Sequence, residues 1–195
     1  MKLTRKKKLE RNRIIKTAGG VFKKYGFRKT TMNDIAHASG KAKSSVYYYF
    51  KSKSEIYNAV IFSEGRQYRK KVLNTIKKLK TPEDRLKAYI IIRLQTDKVY
   101  TNFYYAMNSY TDENDFIKRL KIIYDKEEFR IFSSILNYGV EKGFFKIYDI
   151  KYAAVGIVTA MRGIESVLLH QHENTETEEA VDNILQIILY GIIKR

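Results

Sequence analysis

Residues 43–49 combine lysine, serine and tyrosine in a pattern whose chemistry suits nucleic-acid binding. On a helix, Val46 and Tyr49 share the buried side. Five side chains then face outward: Lys43, Ser44, Ser45, Tyr47 and Tyr48. A helix of this size fits the major groove of DNA, where side chains near its amino terminus reach the edges of the bases. Two exposed tyrosines among lysines favour this function over a merely solvated helix face.

The residues around this run complete the pattern of a helix-turn-helix over residues 32–51. Ile35 points into a small core, and Ala36 lets the second helix cross close to the first. Gly40 supplies the left-handed backbone conformation that the turn requires. A chance helical hairpin has the same pattern of small residues and glycine, so the functional interpretation depends on the outward tyrosines and lysines.

Positive charge is concentrated in the amino-terminal part of this chain of 195 residues. Residues 1–80 hold 23 of the 38 lysines and arginines but only four of the 21 acidic residues, whereas residues 81–195 are slightly negative. A genome biased towards lysine would enrich the whole chain evenly. Segregated positive charge instead predicts a polyanion-binding module in the first part, joined to a near-neutral module.

The spacing of the apolar residues predicts an all-α fold of about nine helices. Proline occurs once, and apolar residues recur every three or four positions. We expect helices over these residues: 8–25, 33–39, 43–50, 53–80, 82–95, 99–110, 115–141, 150–170 and 175–193. Gly19 and Gly20 fall inside the first helix, where each costs about 1 kcal/mol relative to alanine. Close approach of another helix is the expected compensation.

The sequence also excludes several classes of function. The absence of cysteine removes disulfides, thiolate metal sites and cysteine nucleophiles. His37 lies in the helix-turn-helix, and His170 and His172 diverge on a helix, so we predict no metal site, no cofactor and no enzymatic centre. The basic residues 5–8 are not followed by an apolar stretch, and the longest apolar run, 153–161, is about half of the ~20 residues that span a bilayer. We therefore expect a cytoplasmic protein without a membrane partner.

Residues 10–60 resemble the DNA-binding part of the TetR family of bacterial transcriptional regulators. The resemblance rests on these residues: Phe22, Gly26, Thr30, Thr31, Asp34, Ile35, Ala36, Gly40 and the run from Lys43 to Lys53. Two features depart from the pattern of the family, namely the Gly19-Gly20 pair and Lys41, which occupies a usually apolar position. The resemblance implies a three-helix DNA-binding domain with a basic arm over residues 1–52. It implies a helical effector-binding and dimerisation domain over residues 53–195, connected by helix 4 at about 53–80.

The resemblance and the side-chain chemistry together assign roles to the amino-terminal residues. Thr31, Tyr47 and Lys53 would bind phosphates through a hydroxyl at a helix start, a phenol and an ammonium group. Base edges would be contacted by Lys43, Ser44, Ser45 and Tyr48. Lys41 would either loosen the turn or add a phosphate contact. The arm, residues 2–8, is expected to lack fixed structure and to lie along phosphates or a minor groove, with solubilising charge as the alternative.

The last two predicted helices each carry a stripe of residues that internal packing alone would explain. The stripes contain these residues: Ala153, Gly156, Ala160 and Gly163 in the first helix, and Ile184 and Ile188 in the second. Small residues at this spacing let another helix approach closely. The family resemblance implies that both stripes build the four-helix bundle of a homodimer, whose two-fold symmetry suits a palindromic operator in double-stranded DNA.

Aromatic residues are concentrated between positions 89 and 129. Such residues are most often core, but a cavity among bundle helices that is lined by rings is also a usual small-molecule site. We expect these residues to contact a partly apolar effector: Arg93, Tyr100, Phe103, Tyr104, Met107, Asn108 and Tyr124. The resemblance implies that this effector releases a repressor from its operator. The alternative function is a basic architectural DNA- or RNA-binding protein without a small-molecule ligand.

Overall fold

The computed structural model describes residues 5–109, 115–170, 182, 183, 185–187 and 189. Over residues 5–109 and 115–170 it contains nine helices and no strand, which confirms the all-α prediction. The helices are α1 (Arg5–Lys29), α2 (Met32–Ala38), α3 (Lys43–Tyr49), α4 (Lys53–Ile76), α5 (Pro82–Leu94), α6 (Thr96–Val99), α7 (Thr101–Asn108), α8 (Asp115–Glu141) and α9 (Ile150–His170). Of the helix predicted over 175–193, only residues 182, 183, 185–187 and 189 are described, and they are helical. The predictions for Ile184 and Ile188 lie outside the described residues.

The bounds of α1, of α4 and of the helix predicted over 99–110 differ from the prediction by more than one residue. α1 begins three residues earlier, and Gly26, at φ 77° and ψ 161°, breaks its regular geometry where the prediction ends the helix. α4 ends at Ile76 rather than near residue 80. The helix predicted over 99–110 falls on α7, and the short helix α6 before it was not predicted. The backbone of Tyr100, at φ −120° and ψ 51°, is not helical and separates the two.

The chain divides into two compact units. The first takes its residues from Met1–Tyr68 and Asp97–Lys118, and the second from Arg69–Thr96 and Arg119–Arg195. α4 therefore contributes residues to both units. This division reflects which residues pack together and does not assign functions to them. The functional boundary predicted after residue 52 therefore stays a prediction.

The core of the first unit is the underside of the helix-turn-helix. Ile14 of α1, Ile35 of α2, Val46 of α3 and Ile56 of α4 are all inaccessible to solvent. Their burial removes apolar surface from water, which stabilises the fold by about 25 cal/mol for each Å² buried. This core fixes which side of α3 faces outward.

α7 packs on α1 in the same unit, at one of the two adjacent glycines Gly19 and Gly20. A Cβ atom at Gly19 would lie 3.5 Å from Val60 of α4 and 3.9 Å from the Asn102 amide of α7. A Cβ atom at Gly20 would meet nothing within 4 Å. The expected close approach therefore exists at Gly19 and was wrong for Gly20, whose presence nothing in the structure explains.

α5 and α8 supply the core of the second unit. The rings of Tyr89 and Phe132 meet edge to face, with centroids 4.6 Å apart and planes at 65°. Leu86 and Leu136 are buried in the same unit. No helix in the described part of the chain is long and apolar enough to cross a membrane.

The segment after α8 folds back onto that helix. Gly143 takes φ 75°, a left-handed conformation that suits the end of a helix. The Phe144 and Phe145 N–H groups then donate to the Gly139 carbonyl, at 2.8 and 3.1 Å. The buried Phe145 ring covers Gly139 so closely that a side chain at Gly139 would collide with it.

Candidate nucleic-acid interface

α3 presents the outward face that the sequence predicts. Val46 is completely buried and Phe50, which follows the helix, is almost completely buried. The five outward side chains are all exposed: Lys43, Ser44, Ser45, Tyr47 and Tyr48. Tyr48 is 63% exposed, although burial of its aromatic ring would stabilise the fold. The predicted orientation is confirmed, and the roles of these side chains towards DNA stay predictions.

The turn before α3 is built by backbone hydrogen bonds. Gly40 takes φ 63°, and its N–H donates to the His37 carbonyl at 3.0 Å. The Lys41 N–H donates to the Ala36 carbonyl at 3.0 Å. The left-handed residue therefore sets the direction in which α3 leaves α2, as the sequence predicts.

Thr31 and Asp34 form a capping box at the start of α2. The Asp34 N–H donates to the Thr31 hydroxyl at 3.2 Å, and the Thr31 N–H donates to the Asp34 carboxylate at 2.8 Å. The Thr31 hydroxyl also donates to that carboxylate at 2.7 Å, and this bond is the main reason that the pKa of Asp34 is lowered. Thr31 is exposed at the helix start, where backbone N–H groups favour an anion.

The ammonium group of Lys53 is surrounded by backbone carbonyls. It donates to the carbonyls of Phe27, Arg28 and Thr30, at 2.7, 3.3 and 2.7 Å. It also lies 4.5 Å from the centroid of the Phe27 ring. A phosphate bound at Lys53 would compete with these three carbonyl oxygens, which the sequence did not predict.

The acidic side chains near α3 are each bound locally. Glu10 pairs with Lys41 at 2.6 Å, Asp34 belongs to the capping box, and Glu55 accepts from the Lys51 N–H at 2.7 Å. The hydrogen bond from Lys41 is the main reason that the pKa of Glu10 is lowered. Of these three carboxylates, Glu10 is therefore neutralised by a cationic side chain, whereas Asp34 and Glu55 accept from neutral groups and keep their negative charge.

The amino-terminal end of α1 lies against the helix-turn-helix. Residues 5–8, expected to lack fixed structure, are helical, and that part of the prediction for the arm was wrong. The Lys7 ammonium lies 5.0 Å from the centroid of the Tyr48 ring, and the Arg11 guanidinium lies 4.6 Å from that of Phe50. Sequence reasoning missed these contacts, although Lys7 and Arg11 continue the three-and-four spacing of the buried residues of α1.

A half-buried carboxylate and a buried amide together join three helices within the first unit. Glu64 of α4 accepts from the Asn102 side chain at 2.7 Å and from the Phe103 N–H at 2.9 Å. The Asn102 side chain also donates to the Gly19 carbonyl of α1 at 3.1 Å. Burial raises the pKa of Glu64, against these hydrogen bonds, which lower it. This site was not predicted, because one glutamate in a lysine-rich helix gives no sequence signal.

The residues predicted to contact an effector belong to both units. The first unit holds five of them: Tyr100, Phe103, Tyr104, Met107 and Asn108. The Tyr68 ring lies 6.0 Å from the Tyr100 ring and 5.6 Å from the Phe103 ring, between centroids. Phe103 is buried, whereas Asn108 is exposed and donates to the Tyr104 carbonyl at 3.0 Å. The first unit thus contains an aromatic group, and its effector role stays a prediction.

The second unit holds Arg93 and Tyr124, the other two predicted effector residues. Arg93 forms an ion pair with Glu128, which is only 7% exposed. Glu128 also accepts from the Tyr89 hydroxyl at 2.9 Å and from Arg162 at 2.9 Å. A buried charge needs such partners. A ligand carboxylate at Arg93 would therefore compete with an internal one.

An open groove of about 760 Å³ lies elsewhere in the second unit. It is lined by Arg85, Phe129, Arg130, Ser133, Ser134, Asn137, Tyr138 and Glu141. None of these residues belongs to the predicted effector set.

α9 exposes the small residues that were predicted to form a dimer interface. Gly156, Ala160 and Gly163 are exposed and Ala153 is half-buried. Tyr152 and Val155 are exposed on the same helix, whereas Ala154, Ile157, Val158 and Met161 are buried. An exposed helix surface with this composition suits burial against another helix. The interface itself stays a prediction.

Comparison with known proteins gives a family match and two relatives for this arrangement. The family described as bacterial regulatory proteins, tetR family, matches residues 14–60. The HTH-type transcriptional regulator QacR of Staphylococcus aureus is 23% identical over 198 residues, covering 94% of this chain and 98% of that protein. A probable acrEF/envCD operon repressor of Escherichia coli is 38% identical over 48 residues, covering 25% of this chain and 22% of that protein.

A solved structure shares the fold over nearly the whole chain. It is a putative transcriptional regulator from Saccharomonospora viridis in complex with choline. The TM-score is 0.83 at 17% sequence identity, and the match covers 96% of this chain and 100% of that chain. The helical architecture is therefore shared far beyond the matched amino-terminal segment.

Proposed function

Because the chain belongs to the TetR family of DNA-binding transcriptional regulators, we propose that it represses transcription by binding a palindromic operator as a homodimer, and that a small-molecule effector releases it. The outward face of α3 carries this proposal: a helix with a buried underside exposes two hydroxyls, one lysine ammonium and two phenols together. Side chains of these types can bind base edges and phosphates.

In the proposed complex, α3 enters the major groove of each half-site. Lys43, Ser44, Ser45 and Tyr48 contact base edges, while Thr31, Tyr47 and Lys53 contact phosphates, with Lys41 beside them. The exposure of Thr31 at the start of α2 supports this role, and a phosphate bound there would compete with the Asp34 carboxylate for the Thr31 hydroxyl. The half-sites are expected about 34 Å apart, or slightly more.

The proposed dimer forms through α9 and the segment that contains Ile184 and Ile188. The exposed positions Gly156, Ala160 and Gly163, with Ala153 beside them, support it, because they allow close approach of a partner helix. Two-fold symmetry then presents two copies of α3 to the two halves of a palindrome.

The proposed effector is a partly apolar small molecule. The aromatic group of Tyr68, Tyr100 and Phe103 supports this class, because clustered aromatic rings bind apolar groups and cations. Choline, which was found with the S. viridis regulator, is a suitable first probe. The internal pairing of Arg93 with Glu128 favours an effector without a free carboxylate. A coupling of about 1 to 3 kcal/mol would lower operator affinity roughly 5- to 150-fold.

The test begins with selection of a preferred duplex from a random pool, followed by binding isotherms for the selected and a scrambled duplex. Ser45→Ala and Tyr48→Ala should reduce discrimination between the two duplexes, by about 1 to 3 kcal/mol for each specific contact. Tyr148→Ala, which removes a tyrosine that is 97% exposed in the second unit, is the matched control and should change nothing. Equal affinity of the wild-type protein for both duplexes would contradict the proposal and favour the architectural alternative.

The effector is tested by a thermal-shift screen of small amphipathic compounds that includes choline. Each compound that raises the melting temperature is then added to the protein–operator complex. Compounds that stabilise the protein yet leave operator affinity unchanged would establish a ligand site and contradict the proposed release.

A further inference from the structure

The face of α1 that enters the core continues beyond the core as a charged segment. Ile14, Ile15 and Ala18 are buried, and the same face reaches residues 7, 10 and 11 at spacings of three and four. Lys7, Glu10 and Arg11 are half-buried, whereas the intervening residues Lys8 and Leu9 and the preceding Lys6 are exposed. The charged residues on this face therefore have neighbours that the other lysines of the segment do not share.

Each of the three residues contacts a different part of the helix-turn-helix. Glu10 pairs with Lys41 in the turn, at 2.6 Å. Lys7 lies over the ring of Tyr48 in α3, and Arg11 lies over the ring of Phe50 directly after α3. We call Lys7, Glu10 and Arg11 the α1 brace. It contacts the turn before α3, the exposed face of α3 and the residue that directly follows α3.

Tyr48 is held from two sides. The Lys7 ammonium lies 5.0 Å from its ring centroid, and the Tyr49 ring meets it edge-on, with centroids 5.0 Å apart and planes at 88°. Hydrogen bonding with Tyr48 is the main reason that the pKa of Lys7 is raised. An exposed tyrosine without such contacts would sample several rotamers and would lose that freedom on binding.

We propose that Lys7 is a specificity-determining residue that acts by positioning: it holds the Tyr48 ring in the orientation that reads the operator, while Glu10 and Arg11 fix both ends of α3. This inference rests on the proposed function, because it assigns Lys7 a role in the discrimination between duplexes. It differs from a general phosphate contact, which would strengthen binding to every duplex alike. Preorganisation of a contact side chain acts on specificity because the wrong base pair gains nothing from it.

The test compares Lys7→Gln with Lys6→Gln, which removes the same charge one residue earlier from an exposed position. Both variants should weaken binding to a scrambled duplex to the same small extent. The discriminating quantity is the ratio of two affinities, for the selected duplex and for a duplex with a single base-pair substitution at the Tyr48 contact. Only Lys7→Gln should reduce this ratio, by roughly two- to fivefold per half-site, which corresponds to the free energy of an exposed cation–π contact. Lys7→Arg should restore the ratio, because a guanidinium also packs on a ring.

A double-mutant cycle then separates positioning from any direct contact of Lys7 with DNA. In a Tyr48→Leu background, Lys7→Gln should have no further effect on the ratio. A Lys7→Gln effect that persists without Tyr48, or an equal effect of Lys6→Gln, would overturn the inference while leaving the proposed function intact.

A measurement without DNA keeps the two proposals distinguishable. In NMR spectra, the ring signals of Tyr48 should shift in Lys7→Gln and remain in place in Lys6→Gln. If the wild-type protein showed no preference among duplexes, the proposed function would fail, and with it the specificity role of Lys7. Unchanged Tyr48 signals in Lys7→Gln would instead show that the α1 brace does not hold the ring, and would overturn the inference alone.

Discussion

Lys53→Met is the most informative substitution in the first unit, because it removes one ammonium group and retains most of the aliphatic side chain. That ammonium donates to three carbonyls, of Phe27, Arg28 and Thr30, and two of these bonds are 2.7 Å long. A hydrogen bond from a charged donor contributes about 1.5 to 3 kcal/mol. Lys53 is only half-buried, so the lower figure applies to the two short bonds, and we expect a loss of about 3 kcal/mol.

For a chain of this length, a loss of about 3 kcal/mol corresponds to a fall in melting temperature of roughly 6 to 12 °C. The assay is thermal unfolding followed by circular dichroism at 222 nm, with salt fixed at ~150 mM so that surface charges are screened equally. Lys51→Met is the matched control: Lys51 is exposed, and its backbone N–H keeps its bond to Glu55. If both variants melted within 2 °C of each other (about 1 kcal/mol or less), the reasoning from the carbonyl contacts would be refuted.

The same variant decides whether Lys53 also binds phosphate. Loss of one phosphate contact per protomer should reduce the slope of log affinity against log salt concentration by about 1.8 per dimer. A lower melting temperature with an unchanged slope would assign Lys53 to the fold alone and would contradict the phosphate role. A lower slope with an unchanged melting temperature would show instead that phosphate is its main partner.

Three further substitutions test other parts of the structure. Glu64→Gln should flatten the pH dependence of the unfolding free energy. Above the ordinary carboxyl pKa of 4.5, the folded wild-type protein keeps a proton on Glu64 that the unfolded chain has lost. The unfolding free energy of the wild-type protein therefore falls as the pH rises towards the raised pKa of Glu64. Urea titrations at several pH values across this range measure the unfolding free energy. Equal slopes of unfolding free energy against pH in the wild-type and variant proteins would contradict the prediction. Gly139→Ala should cost about 1 to 3 kcal/mol, because its Cβ would lie within 2.8 Å of three atoms of the Phe145 ring. The control is Gly20→Ala, where a Cβ atom would meet nothing within 4 Å, and its unfolding free energy should rise by up to about 1 kcal/mol. An unaltered melting temperature in Gly139→Ala would mean that the Phe145 ring moves aside freely. Gly156→Leu should leave helix content intact but yield monomers in sedimentation, whereas a wild-type monomer at micromolar concentration would rule out the proposed dimer.

The helix-turn-helix was predictable because its residues act locally. Gly40 must be left-handed for the turn, Val46 must be buried for α3 to pack, and both requirements depend only on nearby residues. Most helix bounds and the outward face of α3 follow from the same periodicity. The contacts of the α1 brace were also predictable, since Lys7 lies at a helical spacing from the buried Ile14. They were missed because a basic amino terminus is more often solvated.

The interior polar sites were not predictable because their partners are distant in sequence. Glu64 meets Asn102 38 residues later, and Arg93 meets Glu128 35 residues later. No local pattern marks either pair, since each residue alone reads as a surface residue. The break at Tyr100 was missed for the same reason: the aromatic run around it has helical periodicity, while the backbone is set by tertiary contacts.

The hydrogen bond between Asn102 and Gly19 has a consequence for synthesis of the chain. Its two residues are 83 positions apart, and α7 belongs to the same compact unit as the helix-turn-helix. A ribosome that has released residues as far as Tyr68 has therefore not yet supplied every part of that unit. At roughly 5 to 20 residues per second, translation needs about 2 to 7 seconds more to reach Asn102. Until then the Gly19 carbonyl and the Glu64 carboxylate lack the partners that α7 supplies, so the amino-terminal helices of a nascent chain are without these contacts.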